Sequence, residues 1–367
     1  LWREPVNAPA GLFIRLAWNG EPCCLGETPF LAHRTELDYR HGIWSRETDF
    51  GPVRVSSRRF ASMADCHLLC DQYQIGIQRD GELAVQVGIS EDIWDINGPH
   101  LFDFQHSVEE PLLTRCATGE KGTVVAVAQC ISVDFSAEER RQLDASGVFR
   151  VLRRSSRAGE SLTLSVFAAV YTSLDTADPA AAARSCCEQA MELGFASCRR
   201  AHQEDWEGIW DRSEISLQGD EAAARALHAS QYHLNCIAPR HAGSMSIPAR
   251  GLSGQTYKGA IFWDSEIFFF PMFVYTQPEL ARSLLRYRIE TLPGAVRKAA
   301  AYGYRGAFYP WESQEGGEEG CTDFNVVDVF THRPVRTYFR DKQIHISGDI
   351  AYAMRRYYEI TGDRRLL

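Results

Sequence analysis

The chain has 367 residues, 45% of them hydrophobic and 24% charged, with a formal net charge of −9. That composition is ordinary for globular domains, and the length allows two hydrophobic cores. The acidic balance and the lack of a basic run argue against nucleic acid and anionic membranes as partners, and no stretch approaches the roughly 20 apolar residues that span a bilayer.

From the start the pattern has period 2. Leu12, Ile14 and Leu16 alternate up to an Asn19-Gly20 turn. Leu69, Tyr73, Ile75 and Ile77 alternate up to Asp80-Gly81, and Leu83, Val85, Val87 and Ile89 alternate away from it. Alternation on both sides of a two-residue turn is the strongest short-range hairpin signal. Val125, Val127, Ile131, Val133 and Phe135 predict another strand, and Leu162, Leu164 and Val166 one more. Many short strands with polar turns imply an antiparallel sandwich of one or two large sheets over residues 1–172.

Composition then changes. Asp178-Pro179 opens an Ala-rich helix with Ala182, Cys186 and Ala190 facing inward and Gly194 as its stop. Phe195, Cys198, His202, Trp206 and Ile209 follow at helical spacing. Residues 173–215 therefore read as a helical linker of fixed geometry. The third segment, 216–367, is all helix with long loops. Ala223, Leu227, Ser230, Leu234 and Ile237 form one stripe that Pro239 stops. Residues 266–276 are apolar on every side, which predicts a buried helix kinked at Pro271. Thr276 and Pro278 start the next helix, Pro293-Gly294 interrupts it and Gly303 ends it. Ile350, Met354 and Tyr357 form a last helix face, with Ser347 as cap and Gly362 as stop. Paired helices with loops gathered at one mouth fit this alternation.

The eleven cysteines are an odd number without framework spacing, so reduced and mostly buried thiols in a cytoplasmic protein are expected. Cys66, His67 and Cys70 lack the second half of a zinc motif, and no metal is assigned. His33, His41, His100 and His106 have no nucleophile or metal spacing beside them. No Gly-rich phosphate loop of the P-loop or Rossmann type occurs, so no cofactor is assigned.

The chemistry concentrates between Gly251 and Glu319, where two pairs each set an indole beside a carboxylate: Trp263-Asp264 and Trp311-Glu312. An aromatic face packs against the C–H side of a sugar ring, and a carboxylate accepts from its hydroxyls. Asp264 also suits a plain helix N-cap. Glu315, Glu318 and Glu319 read as a solvated acidic loop, which leaves Glu312 as the working carboxylate of that region. His345, at a helix entrance, is a candidate for contacting a substrate hydroxyl, with Lys342 and Gln343 beside it. A satisfied structural histidine is the competing reading. Two carboxylates 48 positions apart allow a glycosidase-like arrangement, and only their separation in space decides it.

The blocks YKGAIFWDSEIFFFP, RSLLRYRIETLPGA, GYRGAFYPWESQEGGEE and QIHISGDIAYA resemble consecutive blocks of glycoside hydrolase family 65. This is the family of maltose, kojibiose, nigerose and trehalose phosphorylases. ELDYRHGIWSRETDF through SRRFASMAD is similar to its N-terminal sandwich. The resemblance implies an N-terminal β-supersandwich, a helical linker and an (α/α)6 barrel, here incomplete. It implies that Trp263, Asp264, Trp311 and Glu312 line a glucosyl subsite. It also implies an inverting reaction in which phosphate, as co-substrate, attacks the anomeric carbon of an α-glucosyl disaccharide and releases β-glucose 1-phosphate. The alternatives are an inverting, trehalase-like hydrolase and a non-catalytic carbohydrate-binding remnant.

The family's general-acid Glu stands in a Gly-Pro-Asp-Glu-Tyr-type motif and its phosphate-binding Lys, Ser and His further on, all expected beyond Leu367. No catalytic residue is therefore assigned, and the chain is expected to be a partial one, clipped at both ends and inactive alone. Members commonly dimerise, so a homodimer is implied. Ala260 stands where kojibiose-type members tend to carry His, and Ser265 replaces the commoner Thr. These departures, with those in 321–340, bear on the acceptor sugar more than on the glucosyl donor.

Overall fold

The computed structural model describes residues 4–241, 245–251, 254–324 and 326–366. The chain divides into two compact units, one spanning Val6–Asp211 and one containing the chain from Arg212 onward.

The first unit contains thirteen strands. They are β1 (Ala10–Trp18), β2 (Glu21–Pro22), β3 (Ala32–Asp38), β4 (Ile43–Asp49), β5 (Val53–Ala61), β6 (Leu68–Ile77) and β7 (Gly81–Ser90). There follow β8 (Leu101–Ser107), β9 (Leu112–Thr118), β10 (Val124–Val133), β11 (Glu138–Asp144), β12 (Gly147–Ser156) and β13 (Ser161–Thr172). They form a five-stranded sheet, β11-β12-β7-β1-β2, and an eight-stranded sheet, β3-β4-β5-β6-β13-β10-β9-β8. Every pairing is antiparallel. Leu16, Val55, Tyr73, Ile75, Val85, Val87, Leu152 and Leu164 share one core, whereas Ile89 and Val127 fall in a second cluster, Val125 in a third, and Val133 is exposed at the end of β10. The edge strand β11 is blunted against further pairing by Glu138, Glu139, Arg140 and Arg141.

The Asn19-Gly20 turn joins β1 and β2 as expected, with positive φ at both residues. The turn at Asp80-Gly81 does not make a hairpin. β6 pairs with β5 and β13, whereas β7 pairs with β1 and β12 in the other sheet. The chain turns a corner between sheets there, so Ile75 and Val85 belong to the same core from opposite faces. Alternation reads the same whether two strands lie edge to edge or face to face. Gly81 sits against the Trp18 indole, where a Cβ would collide.

Helices α1 (Pro179–Leu193) and α2 (Phe195–Ser213) occupy the stretch read as a linker. Asp178 caps α1 by accepting from the Ala181 N–H, and Gly194 ends it at positive φ. α1 packs on β10 and β13, within the same compact unit as the strands. Its buried face is Ala183, Cys187 and Ala190, one position on from the expected Ala182 and Cys186. The run of alanines carries no register of its own. The sheet's small Ala126, Ala128 and Ala169 set it, and the Cys187 thiol donates to the Ala128 carbonyl at 3.1 Å. The α2 face is as read: Phe195, Cys198, His202, Trp206 and Ile209 are all buried.

The second unit is helical: α3 (Glu221–Ile237), α4 (Phe270–Thr276), α5 (Pro278–Glu290), α6 (Leu292–Ala301), α7 (Phe339–Lys342) and α8 (His345–Thr361). A small hairpin, β14 (Val326–Val327) with β15 (Pro334–Val335), departs from the all-helical expectation. Two stripes also differ. α3 buries Gln231 and Asn235, while Ser230 is exposed. Leu234 and Ile237 of the expected stripe pack against the core of this unit, and a polar network adds to that seating: Asn235 accepts from Arg240 at 2.6 Å and from Gln277 at 2.9 Å.

The run 266–276 is not buried on every side, because Phe268 and Tyr275 are 59% and 64% exposed. A π-helical turn, Ser265–Phe269, precedes α4, and the Phe270 N–H reaches back five residues to the Ser265 carbonyl. Pro271 has no N–H to continue the ordinary ladder, and the wider turn accommodates it. Pro278 opens α5, and Pro293 lies in the first turn of α6. Gly362 ends α8 at positive φ. The core of this unit joins Phe270, Phe273, Leu280, Leu284, Leu285, Ala353 and Tyr357.

Candidate functional site

The two indole–carboxylate pairs meet because their segments form a short antiparallel bridge. The Ile261 N–H donates to the Ser313 carbonyl at 2.9 Å, and the Ser313 N–H returns the bond at 3.0 Å. Two residues along each segment from that bridge stand Trp263 and Trp311. The imidazole of His345 meets both indoles edge-on, with ring centroids 5.0 Å from Trp263 and 6.4 Å from Trp311. Trp311 stacks on Phe339 at 5.3 Å. Beneath them lie Ala295, Tyr309, Ile346 and Ile350, all buried.

The structure thus brings together three of the five expected residues, Trp263, Trp311 and His345, as one ring cluster. Asp264 and Glu312 follow the two indoles in the chain, and neither carboxylate has an ion-pair partner among the described residues. Asp264 stands at the start of the π turn but makes no capping bond, so the N-cap reading fails. Burial pushes its carboxyl above the ordinary range. Glu312 is 9% exposed. Burial raises its carboxyl as well; Lys258 opposes that shift and Glu319 reinforces it. Two partly desolvated acceptors beside apolar rings suit a neutral polyhydroxylated ligand, whose hydroxyls would restore the hydrogen bonds lost to water.

His345 opens α8, and its Nδ1 lies 2.6 Å from Asp349 Oδ2 one turn on. An ionised carboxylate only accepts, so Nδ1 is the donor of that contact, and Nε2 is the ring nitrogen outside it. Ser347 is not the cap of α8. Its Oγ accepts from the Tyr309 N–H at 3.2 Å and ties the helix to the 307–311 segment. The Lys342 ammonium lies 4.7 Å from the Tyr338 ring centroid, away from the indole pair's ring contacts. Ser265 is fully buried, and its hydroxyl donates to the Ile247 carbonyl at 2.8 Å. Among the described residues, no group of three or more His, Cys, Asp or Glu is arranged to hold a metal ion.

Two buried ion pairs escaped the sequence reading. Arg288 binds Glu266 through Nε at 2.8 Å and Nη2 at 2.9 Å, and Nη2 also donates to the Phe262 carbonyl at 2.8 Å. The Tyr309 hydroxyl donates to the Arg288 carbonyl at 2.8 Å. A signal existed: Leu280, Ala281, Leu284, Leu285 and Arg288 share the buried face of α5, and Glu266 is the one charge in the apolar run that follows Asp264. A charge on each of two apolar faces calls for a partner. The second pair, Lys298 with Glu319 at 2.6 Å, overturns the solvated-loop reading for Glu319, since both side chains are under 10% exposed. Glu318, in contrast, pairs with Arg297 at the surface.

The sequence model described as "Glycosyl hydrolase family 65, N-terminal domain" matches residues 3–209, and "Glycosyl hydrolase family 65 central catalytic domain" matches 228–367. The chain is 42% identical to the nigerose phosphorylase of Lachnoclostridium phytofermentans, covering 100% of this chain and 52% of that protein. It is 35% identical to the 1,2-alpha-glucosylglycerol phosphorylase of Bacillus selenitireducens, covering 99% and 48%. It is 30% identical to the kojibiose phosphorylase of Halothermothrix orenii, covering 99% and 50%. The chain therefore spans about half the length of the curated relatives it matches. A solved structure from the human microbiome, assigned as a kojibiose phosphorylase, superposes with a TM-score of 0.84 at 17% identity, over 99% of this chain and 47% of that one, and so shares the fold. With both domain models matched in order, the first of them over more than half of the chain, this protein belongs to glycosyl hydrolase family 65.

Proposed function

We propose that the full-length protein is an inverting phosphorylase of α-glucosides. It would convert a disaccharide or related α-glucoside and inorganic phosphate to β-glucose 1-phosphate and the freed acceptor. The observation that carries this reading is the bridged pair of indole–carboxylate segments. Trp263 and Trp311 offer apolar walls to the glucosyl ring, Asp264 and Glu312 accept from its hydroxyls, and His345 contacts one more. Helices α3 to α8 are the first part of the (α/α)6 barrel whose mouth would hold this subsite.

In this reading the carboxylic acid that protonates the departing glycosidic oxygen, and the phosphate pocket, are supplied by residues other than these, as the family resemblance implies. A phosphate oxygen bonds to the anomeric carbon as the carbon–oxygen bond to the acceptor breaks, with inversion. Phosphate is already an anion, so no second carboxylate is needed as base. The reaction belongs in the cytoplasm, where reduced thiols and phosphate coexist.

A hydrolytic reading has one observation behind it, the 28% identity to the kojibiose hydrolase of Flavobacterium johnsoniae. The full-length protein should be incubated with nigerose, kojibiose, maltose, trehalose and 1,2-α-glucosylglycerol, with and without phosphate, while glucose and β-glucose 1-phosphate are measured. Phosphate-dependent release of β-glucose 1-phosphate is the expected result. Sugar release that is unchanged when phosphate is omitted would overturn the phosphorylase reading in favour of hydrolysis.

A further inference from the structure

Glu319 lies in the acidic loop after Trp311-Glu312, yet its carboxylate is fully engaged. Oε2 accepts from the Trp311 N–H at 2.8 Å and from Lys298 Nζ at 2.6 Å. Oε1 accepts from the Glu312 N–H and from the Cys321 N–H, each at 3.0 Å. One buried side chain therefore takes three main-chain donors and a compensating charge. Lys298 comes from α6 and lies 3.8 Å over the Phe308 ring, so the cation is itself fixed. Charge-assisted bonds in a desolvated setting are the stiffer kind. Two of the three main-chain donors are the amides of the residues that carry the sugar-facing indole and carboxylate.

The backbone of this loop has other restraints. The Ile261–Ser313 bridge stands on one side, and Gln314 N–H donates to Glu318 O at 3.0 Å on the other. These hold the loop's path without touching the Trp311 and Glu312 amides. The Glu312 carbonyl also accepts from the Gly320 N–H at 2.8 Å, so the separate contribution of Glu319 is its hold on the two amide N–H groups of that dipeptide.

We propose that Glu319 is a positioning residue of the sugar site, which grips the Trp311 and Glu312 amides and so sets where the indole and the Glu312 carboxylate stand before the sugar arrives. The proposal rests on the reading of Trp311 and Glu312 as walls of the glucosyl subsite. Preorganised walls bind without first losing conformational freedom. A misplacement of about 1 Å at a reacting site can cost on the order of 100-fold in rate.

The test compares full-length wild type, Glu319→Gln and Glu319→Asp, with Glu318→Gln as a neighbouring surface control. Glucose affinity is read from tryptophan fluorescence, and kcat and KM from phosphorolysis, each per folded molecule as judged by circular dichroism. The Gln and Asp variants should each lose roughly 10- to 100-fold in kcat/KM, with weaker glucose binding in parallel, and Glu318→Gln should match wild type. Wild-type values for glucose affinity and kcat/KM in the folded Gln and Asp variants would overturn the proposal, whatever their thermal stability. If Glu319→Gln does not fold, Glu319→Asp, which keeps the charge opposite Lys298 on a shorter arm, decides by the same criteria. A wild type that binds glucose without phosphorolysis sinks the phosphorylase reading alone, and the binding comparison still judges Glu319. A wild type that binds no glucose overturns both.

Discussion

The Glu266–Arg288 pair offers the sharpest test of how the Trp263-Asp264 segment is held. Both side chains are at most 1% exposed, and Arg288 makes three bonds that Met cannot: two to the Glu266 carboxylate and one to the Phe262 carbonyl. Arg288→Met therefore strands a buried carboxylate, a change that costs about 3–5 kcal/mol. At about 1.4 kcal/mol per decade, local opening becomes roughly 100- to several-thousand-fold more frequent. The stranded carboxyl will take up a proton more readily than an exposed one. Its folded pKa is then raised above the unfolded value, so its contribution to stability is present at acid pH and lost as pH rises above about 4.3.

The cost of Arg288→Met should accordingly be larger at pH 8 than at pH 5. Native-state hydrogen exchange suits a multidomain protein, because it reads local opening without assuming two-state unfolding. Peptides covering 262–276 and 278–290 should lose protection in the full-length variant. The double variant Glu266→Leu/Arg288→Met removes both charges and should recover most of the protection, short of about 1 kcal/mol for the Phe262 carbonyl left without its partner. The reasoning fails if the single variant exchanges within about tenfold of wild type, or if the double variant is no better protected than the single one.

Three further outcomes follow from the site. Asp264→Asn keeps the size of the side chain but removes the charge proposed to accept from a sugar hydroxyl; kcat/KM for phosphorolysis in the full-length protein should fall by the equivalent of about 1–3 kcal/mol, and unchanged kinetics would make Asp264 a bystander. Glu312 is raised by burial, so its ionisation erodes the fold as pH climbs through and above the ordinary carboxylate range. Glu312→Gln escapes that loss, and its unfolding temperature should gain on wild type as pH rises above about 4.3; a constant gap between the two proteins would contradict this. A Cβ at Gly294 in α6 would collide with the carbonyl oxygens of Gly316 and Gly317, so Gly294→Ala should displace the 315–317 turn, lower the unfolding temperature and weaken glucose binding, whereas wild-type values for both would show that the turn moves at no cost.

Much of the first unit was legible along the chain. Alternation at Leu83, Val85 and Val87 identifies a strand with one buried face, since side chains on a pleated strand must alternate. Asp178, Pro179 and Gly194 bracket a helix through local chemistry alone. The sheet in which β7 pairs was not legible, because hairpin and corner share one alternation pattern. Nor was the register of α1, because consecutive alanines look alike from every side.

The same division runs through the site. Trp263-Asp264, Trp311-Glu312 and His345 could be singled out because costly side chains stood together in loops and at helix entrances, and the block resemblance pointed to the same residues. A two-bond bridge between Ile261 and Ser313 brings the two indole segments together, and the Ser347–Tyr309 bond ties the helix carrying His345 to them; local propensity says nothing about a pairing 52 positions apart. The roles of Arg288 and Glu319 were likewise decided only in three dimensions. A charged residue in sequence carries the same symbol whether solvent or a partner neutralises it, and only the fold supplies the buried surroundings that make Glu266 and Lys298 those partners.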